Sequence, residues 1–309
     1  MRVLVSGATG FIGRHLVAAL SEAGHQVLTL ARSPEPPPGS FGHYAGEVDS
    51  TEAREWASQA EAVVHLAGLS DASLSLEQPL EFSRVNALGT LNLLEAARQG
   101  GGRFILVSTQ RIYQPSCIAV DENSLQSPRE PYAYSKQVAE TWVRMYGQLY
   151  DLATMTLRFF SVYGPGQRAG RGASGVVSIF LERALRGEPL VVTGSSCRDF
   201  TYVSDAVLGV QLALQGLENG LSGRTFNVAT GVGTSLKDLA ALVKEVTRSP
   251  SPVHVQLGPS ETYVADIAAA RQLLGFSPRV PLREGLSRYA DWYSRCALER
   301  AADAGADQG

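Results

Sequence analysis

The chain has 309 residues, of which 44% are hydrophobic and 18% charged, and its formal net charge is −3. A chain of this length can bury the core of one large α/β domain and a smaller one, and its charge argues against nucleic acid or an anionic membrane as a partner. The cysteines are odd in number and far apart, which predicts a reducing compartment without disulfides and no metal site; they are Cys117, Cys197 and Cys296.

The N-terminal residues enter a strand at once, which leaves no room for a signal sequence. Val3-Leu4-Val5 is an unbroken apolar run, typical of a parallel strand that is buried on both faces. No apolar run of the chain reaches the roughly 18 residues that a membrane span requires. We therefore expect a soluble cytoplasmic protein.

A glycine-rich turn follows the first strand and precedes a pattern of helical period and a second strand, Val27–Leu30. This βαβ context is the one that a dinucleotide fingerprint requires, because glycines let the backbone approach a pyrophosphate and the helix N-terminus supplies N–H donors. The alternative is a turn with a purely structural role. The predicted cofactor-binding residues of the turn are Gly7, Thr9, Gly10, Phe11, Ile12 and Gly13.

The second strand ends in Ala31-Arg32. A ribose-binding fingerprint places Asp or Glu at this point, whereas an arginine pairs well with a 2′-phosphate. Arg32 therefore favours NADP, with NAD as the alternative if Arg32 is only solvated in the proline-rich loop Ser33–Ser40.

Three further strands are predicted before residue 110, with a long helix from about Pro79 to Arg98 before the last of them. We expect Gly46–Asp49 to close the third strand and Ala62–Gly68 to form the fourth, and both to touch the cofactor. The fifth strand ends in Ser108-Thr109, where a hydroxyl lies at the edge at which open α/β sheets bind ligands. The residues of these segments predicted to bind the cofactor are Glu47, Val48, Leu66, Ala67 and Gly68.

Tyr132 and Lys136 are four residues apart at the start of a predicted helix, so they lie one turn apart on the same face. A free tyrosine has a pKa of about 10, and a cation within roughly 4–6 Å lowers that value. The pair is therefore a candidate acid/base unit. Taken alone, this spacing is also common by chance.

After a sixth strand, Leu152–Arg158, the predicted elements become shorter and are separated by turns. We predict a dinucleotide-binding domain over residues 1–160, to which some later segments return, a substrate-binding region over 161–298, and a disordered tail over 299–309. The predicted helices of the second region are Val176–Arg186, Ser204–Gln215, Ser235–Thr247, Ile267–Leu274 and Leu282–Arg295. Its predicted strands are Leu190–Val192, Thr225–Val228 and Val253–Gln256.

Three motifs occur in order, each at the matching end of its element: Gly7-x-x-Gly10-x-x-Gly13, Ser108-Thr109 and Tyr132-x-x-x-Lys136. With them, the chain resembles the extended short-chain dehydrogenase/reductase family, in its NAD(P)-dependent nucleotide-sugar epimerase/dehydratase branch, from residue 1 to about 295. The resemblance implies a doubly wound parallel Rossmann sheet with a smaller mixed α/β region. Further matching segments are Val85–Thr90, Leu157–Gln167, Cys197–Asp205, Phe226–Val228 and Leu274–Pro278.

By this resemblance Tyr132 is the general acid/base, Lys136 binds the nicotinamide ribose and lowers the pKa of Tyr132, and Thr109 bonds the reacting oxygen. It also implies that Asn86 and Phe159 lie at the cofactor. Arg198 would bind a nucleotide diphosphate, although a surface ion pair is the alternative. The implied substrate-binding residues are Ser70, Thr109, Ser161, Arg198 and Gln256.

Several positions depart from the family pattern. Gln110 and Arg111 stand where 4,6-dehydratases carry Asp-Glu, and decarboxylases place Glu at the position of Arg111, so we expect neither activity. Ser161 replaces a phosphate-binding Asn, and Gln256 aligns with a phosphate-binding arginine. Arg168 and Arg171 in the glycine-rich loop either compensate or are solvated.

The resemblance leaves three activities open. The first is a 4-epimerase that works through a transient keto-sugar. The second is an NADPH-dependent reductase of nucleotide 4-keto-sugars, and the third is an oxidoreductase of a small compound without a nucleotide. The family also implies a homodimer, in which helices near residues 85–98 and 132–148 form a four-helix bundle.

Overall fold

The computed structural model describes residues 1–167, 175–258 and 260–306. In this part of the chain the strands are β1 (Arg2–Ser6), β2 (Gln26–Ala31), β3 (Gly42–Ala45), β4 (Ala62–His65), β5 (Arg103–Thr109), β6 (Thr154–Phe159), β7 (Val162–Tyr163), β8 (Leu190–Thr193), β9 (Cys197–Asp199), β10 (Thr201–Tyr202), β11 (Arg224–Val228), β12 (Gly233–Ser235) and β13 (Val253–Gln256).

The helices lie between these strands. They are α1 (Phe11–Glu22), α2 (Thr51–Ala57), α3 (Ala72–Glu77), α4 (Pro79–Ser83), α5 (Gly89–Gly100), α6 (Pro131–Tyr150), α7 (Val176–Leu185), α8 (Val203–Glu218), α9 (Leu236–Thr247), α10 (Ala268–Leu274) and α11 (Leu282–Ala306). A π-helical segment, Arg84–Leu88, joins α4 to α5, and a 3₁₀ turn, Gln110–Ile112, follows β5.

Seven strands form one parallel sheet in the order β11-β6-β5-β4-β1-β2-β3. The chain adds β2 and β3 on one side of β1 and then crosses to add β4, β5 and β6 on the other side. This reversal places a topological switch point between β1 and β4, where sheets of this kind bind ligands at the carboxyl ends of the strands. The predicted doubly wound fold is confirmed.

Helices cover both faces of the sheet because the strands are apolar on both faces. One core packs α1, α8 and α10 against the sheet, and the other packs α2, α5 and α6 against the opposite face. α1 shows how the sequence encodes this, since it buries Gly13, Leu16, Val17 and Leu20, a stripe of helical period.

A third core lies in the second half of the chain, where α7, α9 and α11 pack together. Three short strand pairs, β7 with β10, β8 with β13 and β9 with β12, join this region. β11 instead returns to the large sheet and pairs with β6 in parallel, from Arg224 opposite Met155 to Val228 opposite Phe159. The division at residues 160 and 161 stays a prediction. No helix among the described residues is long and apolar enough to span a membrane.

The structure corrects three predicted elements. β3 ends at Ala45, because its pairing with β2 is completed by the bond from Gly46 N to Ala31 O at 2.9 Å, so Gly46–Asp49 forms a loop and not the end of a strand. The predicted helix Pro79–Arg98 is divided by the π-helical segment and continues to Gly100. β4 ends at His65, so Leu66–Gly68 follows the strand as a loop and does not continue it. The backbone of α11 is helical to Ala306, and the disordered tail over residues 299–309 stays a prediction.

Candidate functional site

A cleft of about 400 Å³ opens at the switch point of the sheet. The predicted cofactor residues that line it are Gly7, Thr9, Gly10, Arg32, Glu47, Val48, Leu66, Ala67 and Gly68. Sequence reasoning missed further lining residues, among them Ser33, Leu69 and Val85. Leu69 and Val85 are apolar positions without a sequence signal of their own, and only the folded chain brings them to this cleft.

The glycine turn is shaped for close backbone approach. Gly7 has φ +72°, and a Cβ there would lie 2.7 Å from the backbone nitrogen of Ala67. A Cβ on Gly13 would lie 2.2 Å from the carbonyl oxygen of Gly7, so Gly13 lets α1 pack directly on the turn. α1 has no side-chain cap and no acidic residue in its first turn, which leaves its N–H groups for an anion. These residues fit the pyrophosphate of a dinucleotide.

Two arginines with different surroundings lie at the end of the cleft near Glu47: Arg32 lines the cleft, and Arg84 lies beside it, 3.7 Å from Glu47. Arg84 Nη1 donates to both carboxylate oxygens of Asp49, at 2.7 and 2.6 Å, and Arg84 also pairs with Glu81 at 2.7 Å. Arg32 is exposed and lines the cleft, and its guanidinium makes no hydrogen bond with the described residues. The free cation at this end is therefore Arg32.

Seven of the residues predicted or implied to bind the cofactor are not among the lining residues of the cleft: Phe11, Ile12, Gly13, Asn86, Tyr132, Lys136 and Phe159. Gly13 packs on the turn, and Tyr132 and Lys136 lie at the start of α6. Phe11 packs edge-on against the ring of His15, and Ile12 packs against the core around α1. Phe159 is buried at the end of β6. Asn86 lies in the π-helical segment and makes bonds within the protein, which are described next.

Asn86 connects the loop after β4 to α6. Its Oδ1 accepts a bond from Leu69 N at 2.8 Å, and its Nδ2 donates to Leu69 O at 3.0 Å and to Ser135 Oγ at 2.9 Å. Ser135 Oγ in turn donates to the carbonyl oxygen of Tyr132 at 2.7 Å. These bonds fix the wall of the cleft relative to the start of α6, where Tyr132 and Lys136 lie.

Tyr132 is the second residue of α6, and the side chain of Thr109 at the end of β5 lies near enough to act on the pKa of its hydroxyl. Thr109 Oγ1 also accepts a bond from Arg111 N at 3.2 Å. The ring of Tyr132 packs edge-on against Phe82, with 6.3 Å between centroids. Lys136 is buried one turn further along α6. The structure thus brings together the three predicted catalytic side chains.

The electrostatics of this group involve charges beyond the predicted pair. Burial raises the pKa of Tyr132, while the Thr109 side chain and the charge of Arg111 oppose the rise and Glu130 adds to it. Burial lowers the pKa of Lys136 to about 8, and Glu140 opposes the shift. Arg111 is thus a cation that favours the phenolate of Tyr132, and the lowering of the Tyr132 pKa by Lys136 stays a prediction.

A second cavity, of about 460 Å³, lies in the smaller region. Two of the predicted substrate-binding residues, Ser161 and Arg198, line this cavity. Gln167 and Glu261 also line it, although the sequence did not predict them as site residues. Arg198 Nε is buried without a hydrogen-bond partner, as is Gln167 Oε1. Burial lowers the pKa of Arg198, and the charge of Arg111 lowers it further. A half-buried arginine whose Nε has no partner, beside a cavity, indicates an anionic ligand.

The other predicted substrate residues lie elsewhere. Gln256 is an exposed residue of β13 and is not among the lining residues, although its partner in β8, Thr193, is. Ser70 is exposed and lines neither cavity. Arg168 and Arg171 lie outside the described residues. Within the described part of the chain, no cluster of three or more His, Cys, Asp or Glu side chains forms a metal site.

A family model for the NAD-dependent epimerase/dehydratase family matches residues 3–229. The chain belongs to this family. It is 32% identical over 312 residues to a UDP-glucose 4-epimerase of Mycolicibacterium smegmatis, covering 95% of this chain and 98% of that protein. It is also 32% identical over 303 residues to UDP-glucuronic acid decarboxylase 3 of Arabidopsis thaliana, covering 93% and 87%.

Solved structures of this family are similar in fold. The UDP-glucose 4-epimerase of Thermotoga maritima with UDP-glucose has a TM-score of 0.88 and 30% identity, over 96% of this chain and all of that one (100%). MoeE5 in complex with UDP-glucuronic acid and NAD has a TM-score of 0.88 and 32% identity, with the same coverage of 96% and 100%.

These comparisons bear on two predictions. Membership of an NAD-dependent enzyme family agrees with the predicted nicotinamide cofactor, without distinguishing NAD from NADP. Decarboxylases stand beside epimerases among the relatives, so the similarity does not support the predicted exclusion of decarboxylation.

Proposed function

We propose that this protein is a 4-epimerase of nucleotide sugars, with UDP-sugars as the preferred class. The observation that carries the proposal is the grouping of Thr109 at the end of β5 with Tyr132 and Lys136 at the start of α6, in a fold that also has a cleft fitting a dinucleotide and a cavity lined by Arg198, whose Nε has no partner. This arrangement serves reversible oxidation of a sugar hydroxyl.

Each side chain has a defined part in this reaction. Tyr132 accepts the proton of the sugar hydroxyl on oxidation and returns it on reduction, and Thr109 bonds the same oxygen and holds it in line. Lys136 bonds the cofactor ribose and supplies positive charge at the base of the site. Arg198 takes the diphosphate, since a guanidinium binds phosphate oxygens bidentately. When bound, the nicotinamide supplies reversible hydride transfer.

The test is interconversion of UDP-galactose and UDP-glucose by purified protein without added cofactor, followed by NMR. Tyr132→Phe should lower the rate by about 10²- to 10⁴-fold, the range of a lost acid/base group, while the cofactor released on denaturation stays the same. Unchanged turnover would remove Tyr132 from the mechanism. Absence of interconversion with any nucleotide sugar would refute the proposal.

Arg32 supports a second candidate, an NADPH-dependent reductase of nucleotide 4-keto-sugars. Its unpaired guanidinium lines the cleft beside Ala31, where an acidic ribose-binding residue is lacking. A reductase consumes NADPH in stoichiometric amounts, whereas an epimerase recycles its bound cofactor. A thermal-shift panel that includes small hydroxy and keto compounds tests the third predicted activity, which acts without a nucleotide.

We also propose a homodimer. Exposed apolar side chains on α6 and the adjoining π-helical segment form a face that a second copy would cover: Leu88 (53% exposed), Tyr134 (55%), Val138 (42%) and Leu149 (68%). Sedimentation of the wild type and of Val138→Asp tests it. Equal masses at the monomer value would refute the dimer.

A further inference from the structure

Most hydrogen-bond donors of the Arg111 side chain have no partner among the described residues. It lies in the 3₁₀ turn after β5, and its Nε donates to Glu130 Oε1 at the N-terminus of α6. A guanidinium carries five N–H donors, and among the described residues only the one on Nε has a partner. The side chain of Arg111 is 27% exposed and that of Glu130 11%. The terminal nitrogens Nη1 and Nη2 are therefore available to a ligand.

Arg111 lies beside the acid/base site and near the substrate cavity. Its backbone N donates to Thr109 Oγ1 at 3.2 Å, and its neighbour Gln110 donates from Nε2 to Oγ of Ser161, which lines the cavity, at 3.3 Å. The charge of Arg111 acts on both Tyr132 and Arg198. It also interacts electrostatically with Glu261, which lines the cavity. A nucleotide sugar with its diphosphate at Arg198 and its reacting hydroxyl at Tyr132 has its sugar ring in this space.

The charges of Arg111 and Arg198 favour a ligand that carries two anionic groups. Glu130 bonds Arg111 through Nε alone, and Glu261 pairs with Arg129 at 3.3 Å. Arg198 has no hydrogen-bond partner for its buried Nε, and Arg111 repels it. Like charges held near each other repel, and Glu130 compensates Arg111 through Nε alone. A ligand that brings negative charge to Nη1 and Nη2 of Arg111, in addition to a diphosphate at Arg198, would lower this repulsion.

We propose that Arg111 binds a carboxylate on the sugar, so that the preferred substrate is a nucleotide-linked hexuronic acid. This inference rests on the proposed function. In a hexuronic acid the carboxylate is attached to C5, next to the reacting C4, which brings it near Tyr132 and hence near Arg111. The fork of a guanidinium matches a carboxylate in two parallel bonds. A neutral hydroxymethyl group offers Nη1 and Nη2 no charged partner.

The test measures dissociation constants of UDP-glucuronic acid, UDP-glucose and UDP in a Tyr132→Phe background, where turnover does not interfere. We expect UDP-glucuronic acid to bind about 10- to 100-fold more tightly than UDP-glucose, as a charge-assisted pair provides. Adding Arg111→Gln should bring this ratio close to one, with the affinity for UDP changed by less than about threefold.

Two controls separate recognition from structure. Arg111→Gln alone leaves the carboxylate of Glu130 without its partner, so the double substitution Arg111→Gln with Glu130→Gln is measured as well and should show the same loss of preference. Arg144→Gln removes an exposed positive charge of α6 that lines neither cavity, and it should keep the preference.

The outcomes distinguish the two proposals. If UDP-glucose binds as tightly as UDP-glucuronic acid, or if Arg111→Gln weakens both equally, the inference is overturned and the proposed function stands. If none of the three UDP compounds binds, the proposed function fails and the inference fails with it.

Discussion

Arg158 and Glu140 form an ion pair that is buried between β6 and α6, with Arg158 Nη2 2.7 Å from Glu140 Oε2. Arg158 Nε contacts both carboxylate oxygens, at 3.1 and 3.2 Å, and Nη1 donates to Tyr113 at 2.8 Å. Glu140 also lies one helical turn beyond Lys136 and favours its charged form. The carboxylate of Glu140 thus neutralises Arg158 in the core and also stabilises the charged form of Lys136 at the acid/base site.

Glu140→Gln should lower the free energy of unfolding by roughly 3–5 kcal/mol, because it leaves the buried guanidinium of Arg158 without a counter-charge. Urea unfolding at neutral pH measures the change. The double substitution Glu140→Met with Arg158→Met removes both charges and should cost clearly less. A loss below about 1 kcal/mol in the single variant would contradict a structural role for the pair.

Lys136→Met should make the protein more stable at neutral pH and abolish turnover. Burial lowers the pKa of Lys136 from 10.5 to about 8, so below pH 8 the folded state carries a charged amine in an unfavourable place. Removing it should add about 1–3 kcal/mol to the free energy of unfolding.

The same shift predicts a pH dependence with a definite sign. Between pH 8 and 10.5 the folded protein loses the Lys136 proton while the unfolded chain keeps it. The stability of the wild type should therefore rise with pH across this window relative to Lys136→Met. Urea unfolding of both proteins across this pH window measures the difference in their unfolding free energies. If the two free energies change in parallel with pH, the lowered pKa of Lys136 is refuted.

His65 should make the fold sensitive to acid. Burial lowers the pKa of His65 from 6.5 to about 3, with a smaller contribution from Lys136. Its ring contacts Ser6 Oγ at 2.7 Å and Thr90 Oγ1 at 3.0 Å. As the pH falls from 6.5 toward 3, the unfolded chain gains a proton that the folded protein excludes, so stability is lost by up to about 1.4 kcal/mol per pH unit.

His65→Gln keeps polar atoms for both neighbours and removes the titration. The difference in unfolding free energy between wild type and His65→Gln should shrink or reverse as the pH is lowered from 6.5 to 4. A difference that is independent of pH would show that His65 is not the titrating group.

Arg32→Ala should change the choice of cofactor. If Arg32 meets a 2′-phosphate, its loss should weaken NADPH binding by about 10- to 100-fold and leave NADH binding nearly unchanged. Fluorescence titration with the two nucleotides measures the ratio. Arg224→Ala, at an exposed position of β11 on the opposite edge of the sheet from the cleft, is the matched control. If Arg32→Ala changes the affinities for NADPH and NADH equally, Arg32 does not contact the 2′-phosphate and is only solvated in its loop.

Local sequence patterns predicted the βαβ unit with its glycine turn and the shared helix face of Tyr132 and Lys136, whereas the family resemblance implied the complete Rossmann sheet. Apolar runs and helical periodicity depend on near neighbours, and the turn needs glycine at Gly7 because its φ is +72°. Tyr132 and Lys136 share a helix face because they are four residues apart, so their proximity does not depend on the rest of the fold.

Other features depend on the path of the folded chain. Arg111 meets Glu130 across 19 positions and influences Arg198 in another region, and neither contact has a local signature. The direction of the pKa shift of Tyr132 also escaped sequence reasoning, because burial outweighs a nearby charge and burial is a property of the packed protein. Spacing along the chain therefore determined that Tyr132 and Lys136 share a helix face, whereas tertiary packing decided which charges act on them.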